Sequence, residues 1–106
     1  MIVTDQGTLS VLLTGTTHYL RVSPEAEFAI FYETAETARM GLPDGKRRAG
    51  KWRLTPTGYH VDWTDGPSAS WQIDVEPGHI AYRDGDGVER GTVTRIVPGD
   101  AAALAA

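Results

Sequence analysis

Apolar and polar residues alternate along most of this chain in short runs, and proline and glycine punctuate the runs. Thr17 to Val22 sets His18, Leu20 and Val22 on one face against Tyr19 and Arg21 on the other, the two-residue period of a strand. Ser23-Pro24 ends it. Glu27 to Glu33 alternates again, with Phe28, Ile30 and Tyr32 opposite Ala29, Phe31 and Glu33. Phe31 on the second face implies burial there too, beneath a helix. Residues 33–40 have a helical composition but stand between strands. A strand from Thr37 to Leu42 is preferred, because Leu42-Pro43-Asp44-Gly45 then makes a hairpin to the strand at Trp52, and Asp-Gly is a strong hairpin signal.

The stretch from Ala49 to Val75 holds all three tryptophans. Gly50 to Thr55 sets Trp52 and Leu54 against Lys51 and Arg53. Tyr59, Val61 and Trp63 face away from His60, Asp62 and Thr64, and Trp71, Ile73 and Val75 from Ser70, Gln72 and Asp74. One apolar side per strand is the mark of an antiparallel sheet with one buried face. His79 to Arg83 then points Ile80 and Tyr82 inward, with His79 and Ala81 outward. Glu89 to Val97 puts Val93 and Val97 on one face and Ile96 on the other. At the front, Thr4 or Asp5 can cap a helix over residues 5–13 with Leu9, Leu12 and Leu13 on one side and Gly15 ending it; a strand over residues 8–13 is the alternative. The fold expected is mainly β, a small antiparallel meander barrel of about seven strands with a short N-terminal helix.

Length and charge narrow the picture. The chain has 106 residues, which suits one domain, here residues 1–100, with the Ala-rich residues 101–106 as a frayed or lightly docked tail. There is no cysteine, which excludes disulfides, thiolate metal sites and a cysteine nucleophile. A net charge of −4 argues against nucleic acid and anionic membranes as partners. The first residues lack a basic region and a long apolar run, so a cytoplasmic location is expected.

The series Gly50-Lys51-Trp52-Arg53-Leu54, Gly58-Tyr59-His60-Val61-Asp62-Trp63, Ser70-Trp71-Gln72-Ile73, Gly91-Thr92-Val93 and Pro98-Gly99 resembles small lipocalin-like bacterial barrels of unassigned function. Leu12, Leu13, Gly15 and Thr17 roughly match their Leu-Leu-x-Gly-x-Thr opening. Exported members of that group often carry cysteines at the positions of His60 and Ser70, suited to a cross-strand bridge. This chain has neither cysteine, which fits a cytoplasmic location; the resemblance implies the fold and carries no reaction.

Candidate chemistry is sparse. His18, His60 and His79 fall on three strands but do not face one space, so no metal site is expected, and no cofactor motif is present. Asp84-Gly85-Asp86-Gly87-Val88-Glu89 lacks the order of a calcium loop and reads as a hairpin. Lys46, Arg47, Arg48, Lys51 and Arg53 read as a solvated hairpin edge. Glu27, Glu33 and Glu36 near Tyr32 show no arranged acid pair. The leading expectation is ligand binding, a small and partly apolar molecule held by His18, Tyr32, Trp52, Trp63, Trp71 and Tyr82. A homodimer or partner-binding protein, using the outward apolar groups Tyr19, Phe31 and Ile96, is the alternative. A small enzyme with His18 or an acid in the barrel mouth comes third.

Overall fold

The computed structural model describes residues 1–105. In chain order the elements are β1 (Ile2–Val3), α1 (Gln6–Leu13), β2 (Thr16–Ser23), β3 (Ala26–Phe31), β4 (Thr37–Gly41), β5 (Arg47–Leu54), β6 (Tyr59–Trp63), β7 (Ser68–Glu76), β8 (His79–Arg83) and β9 (Glu89–Pro98). Each strand from β2 onward pairs antiparallel with the next, and β9 returns to β2. The result is a closed up-and-down barrel of eight strands, one more than the alternation suggested. The short β1 adds to β7 through Ile2–Asp74 and Val3–Ile73.

The helix forms as the capping signal predicts, and not as a strand. Asp5 Oδ2 accepts the Thr8 amide at 2.8 Å, satisfying one of the free donors of the first turn. Gly15, at φ 76°, turns the chain out of the helix, and Thr16 Oγ1 donates to the Leu12 and Leu13 carbonyls. Leu9 and Leu13 are fully buried and belong to the barrel core, and Gln6 Nε2 bonds the Thr55 carbonyl at the end of β5. The helix is therefore a stopper in one end of the barrel.

The hairpin between β4 and β5 forms through residues 42–46, with the Gly45 amide bonded to the Leu42 carbonyl and Gly45 at φ 87°. Two glycines permit close strand crossings. A Cβ on Gly58 would stand 2.0 Å from the Trp71 carbonyl oxygen, and one on Gly50 would stand 2.8 Å from the Trp63 ring. Trp63 thus lies across Gly50 on the inner wall.

Two details correct the alternation. In β9 the register slips between Val93 and Arg95, so that Leu20 pairs with Val93 but His18 with Ile96. The extra residue reverses the phase, as a β-bulge does. Ile96 consequently packs against the core instead of facing out. Phe31 is buried on the outer face, and the segment that lies over that face is the C-terminal one. Leu104 is buried, and its Cδ2 would meet a Cβ on Gly41 at 3.0 Å. Asp100 holds this segment by accepting the Leu104 and Ala105 amides at 2.7 and 2.8 Å. No helix among the described residues is long and apolar enough to cross a membrane.

Candidate functional site

The stopper leaves the barrel open at the other end, above a cavity of about 410 Å³. Every barrel strand contributes to its wall, from Leu20 of β2 to Arg90 of β9. Phe28, Trp63 and Trp71 supply aromatic faces, and Leu20, Ile30, Met40 and Val61 supply aliphatic ones. β5 runs from the mouth toward the helix, so Arg48, near its start, stands at the mouth and Trp52 near the stopper. Cavities of about 300–1,000 Å³ with mostly apolar walls are the usual seat of small ligands, and an eight-stranded barrel is just wide enough for one.

Below the cavity lies a chain of polar side chains in an apolar setting. The Tyr32 hydroxyl is 2.9 Å from that of Tyr59 and 2.8 Å from that of Tyr82. The Tyr82 hydroxyl is 2.8 Å from His18 Nδ1, and His18 Nε2 is 2.8 Å from the Leu12 carbonyl oxygen. A carbonyl only accepts, so Nε2 carries the imidazole hydrogen and Nδ1 is the acceptor. Tyr82 must then donate to His18, Tyr32 to Tyr82, and Tyr59 to Tyr32. All four donors are committed and the direction is single. Burial holds His18 at about 4, against the opposing pull of its Leu12 bond, so the ring is neutral. Burial likewise raises Tyr32 to about 12 and pushes Tyr59 and Tyr82 well above their ordinary value. The rings pack edge-to-face, Tyr32 on Trp52 at 5.3 Å and Tyr59 on Tyr82 at 6.0 Å between centroids, the geometry aromatic quadrupoles favour.

The six residues expected to hold a ligand therefore divide. Tyr32, Trp63, Trp71 and Tyr82 line the cavity. His18 lies behind Tyr82 and outside the wall, and Trp52 is buried near the stopper with its Nε1 donating to the Thr34 carbonyl at 2.8 Å. Alternation identified the inward face for all six but could not rank them by depth along the barrel.

Arg48 is the wall residue that the sequence reading assigned to a solvated edge. Its register puts it on the inward set with Trp52, while Lys46, Arg47, Lys51 and Arg53 are exposed. The counting of two from Trp52 was available in the sequence; the run of basic neighbours concealed it. At the mouth, Arg90 is paired through Nε with Asp84 Oδ2 at 2.7 Å. Asp84 also accepts the Asp86 and Val88 amides, so the acidic turn after β8 is a self-satisfied hairpin. No cluster of three metal-ligating side chains occurs among the described residues.

The other histidines lie on the outer wall. His60 and Ser70, the positions matched to cysteines by the resemblance, are direct cross-strand partners. His60 Nδ1 meets Ser70 Oγ at 2.8 Å and its Nε2 meets Asp62 at 2.9 Å. His79 Nε2 contacts Glu89 at 3.2 Å.

Fold and cavity define the class: a small, closed, antiparallel β-barrel, stoppered by one helix and hollow at the other end. Comparisons with protein-family models, with curated proteins and with solved structures return no match.

Proposed function

We propose that the barrel binds one small, partly apolar molecule in its open-ended cavity, in a cytoplasmic setting suited to a cysteine-free chain. The observation that carries this reading is the cavity of about 410 Å³ bounded by Trp63 and Trp71. A barrel of this size that served only as a scaffold would be expected to fill its interior with side chains. The resemblance to lipocalin-like bacterial barrels supports the architecture and leaves the ligand open.

Binding should alter tryptophan emission and raise the melting temperature, by mass action, in proportion to ligand concentration. Trp63→Phe and Trp71→Phe should remove most of the emission change, and Trp52→Phe should leave it. A panel of apolar and amphipathic metabolites that moved neither emission nor melting temperature would sink the reading.

The homodimer alternative loses the groups first offered for it. Phe31 is buried, Ile96 faces inward, and Tyr19 lies under the Arg95 guanidinium at 4.0 Å from the ring centroid. An enzyme using His18 is also less well supported, since both ring nitrogens are engaged within the fold.

A further inference from the structure

Building on the ligand-binding reading, we propose that the occupant is an amphipathic anion, one acid group on a compact apolar body, with the acid held by Arg48 at the mouth. The wall contains two arginines and no aspartate or glutamate, in a chain whose net charge is −4. The two cations differ. Arg90 already has Asp84. The arginine and lysine ion pairs of the described residues join Arg21 to Glu27, Arg39 to Glu33, Lys46 to Asp44, Arg83 to Asp74 and Glu89, and Arg90 to Asp84. None includes Arg48, the one basic residue of its stretch that is turned inward and half-buried.

A half-buried guanidinium without a carboxylate is a poor arrangement for stability alone, because its lost hydration is not repaid by a paired charge. It is a good one for recognition. The planar fork of donors fits a carboxylate or similar acid through two parallel hydrogen bonds. Gly66 leaves room for it: the Arg48 Nη1 would lie 3.0 Å from a Cβ at that position. The side chain thus rests against the turn between β6 and β7, beside Trp63.

The floor fixes which way the molecule points. The hydroxyl hydrogens of Tyr32, Tyr59 and Tyr82 are all committed along the chain to His18, and only acceptor lone pairs remain. An acid at the floor would meet those lone pairs, whereas an apolar end would meet rings. The acid therefore sits at the mouth, where it keeps part of its hydration, and the apolar body points inward. At about 30 Å³ per non-hydrogen atom, the share of one water in the liquid, the cavity accommodates on the order of a dozen such atoms.

Decanoate, decanol and decyltrimethylammonium are matched probes, titrated calorimetrically below their aggregation limits. Decanoate should bind about tenfold more tightly than decanol, and decyltrimethylammonium more weakly than either. In Arg48→Gln, with fold checked by circular dichroism, decanoate should fall to within about threefold of decanol while decanol is unchanged. Arg90→Gln should retain most of the preference, and added salt should weaken decanoate alone. If decanol matches decanoate, if the cation binds best, or if the preference survives Arg48→Gln, the acid-at-Arg48 assignment is overturned while the cavity reading stands. If none of the three binds, both fall.

Discussion

Tyr82 donates its hydroxyl hydrogen to His18 Nδ1 across 2.8 Å, and that contact orients every hydrogen bond in the barrel floor. The imidazole is the terminal acceptor of a chain of tyrosines because its other nitrogen is bound to the helix through the Leu12 carbonyl. The stopper and the floor are thus one hydrogen-bonded unit, with His18 as the joint.

Protonating His18 would make Nδ1 a donor and force the tyrosine chain to reverse, leaving the Tyr59 hydroxyl hydrogen with no acceptor in the chain. The folded-state value is about 4 against an ordinary 6.5, so the unfolded chain takes up the proton first. The stabilisation is complete above about pH 6.5 and is lost as pH falls toward 4, amounting to about 3 kcal/mol over that window. Urea unfolding between pH 7 and 4 measures it, and His18→Gln should flatten this part of the profile. A wild-type stability that stays level down to pH 4.5 would contradict the assignment of a neutral, buried imidazole.

At high pH the sign is reversed. Tyr32, Tyr59 and Tyr82 are raised by burial, so the unfolded chain loses those protons first. Stability is intact below about pH 10 and declines as pH rises toward 12. Phenolate absorbance from these three residues should appear together with the loss of near-ultraviolet circular dichroism. Full ionisation with the fold retained would show that water reaches the floor.

The tyrosines are not equivalent. Tyr32→Phe removes two hydrogen bonds and strands the buried donor of Tyr59; it should cost about 2 kcal/mol or more. Tyr59→Phe removes one bond and leaves only a spare lone pair on Tyr32, so about 1 kcal/mol is expected. Chemical denaturation of the two variants should give that order, and equal losses would mean that the bond directions are wrong.

Glycines can be ranked by what stands opposite them. Gly58→Ala would drive a methyl group to 2.0 Å from the Trp71 carbonyl, a backbone atom held by the sheet. A loss of about 3 kcal/mol or more should follow. Gly91→Ala would meet the Leu20 Cδ1 at 2.8 Å, the end of a side chain that can rotate, and about 1 kcal/mol is expected. Melting temperatures of the pair decide it.

The face of each strand could be read from the period of two, which placed Trp52, Trp63, Trp71, Tyr32 and Tyr82 inward together. Depth could not, because it depends on how far each strand is sheared against the next. Alternation alone therefore does not separate Trp52 from Trp63, although one lies near the stopper and the other at the mouth. The bulge near Thr94 has no turn residue to mark it, so strict alternation points Ile96 outward where the register shift turns it to the core. The Asp5 cap, by contrast, was visible, since an acceptor before a Leu-x-x-Leu-Leu pattern has a local purpose that needs no tertiary partner.

The fully buried Leu9 and Leu13, set in one end of the barrel, close the interior beneath the helix. On the binding proposal, a molecule would enter and leave at the open end, past Arg48 and Trp63. One longer than the interior would trail into water or into the grasp of another protein. Release would be governed by events at the rim, while changes to the helix would act on how deep the vessel is.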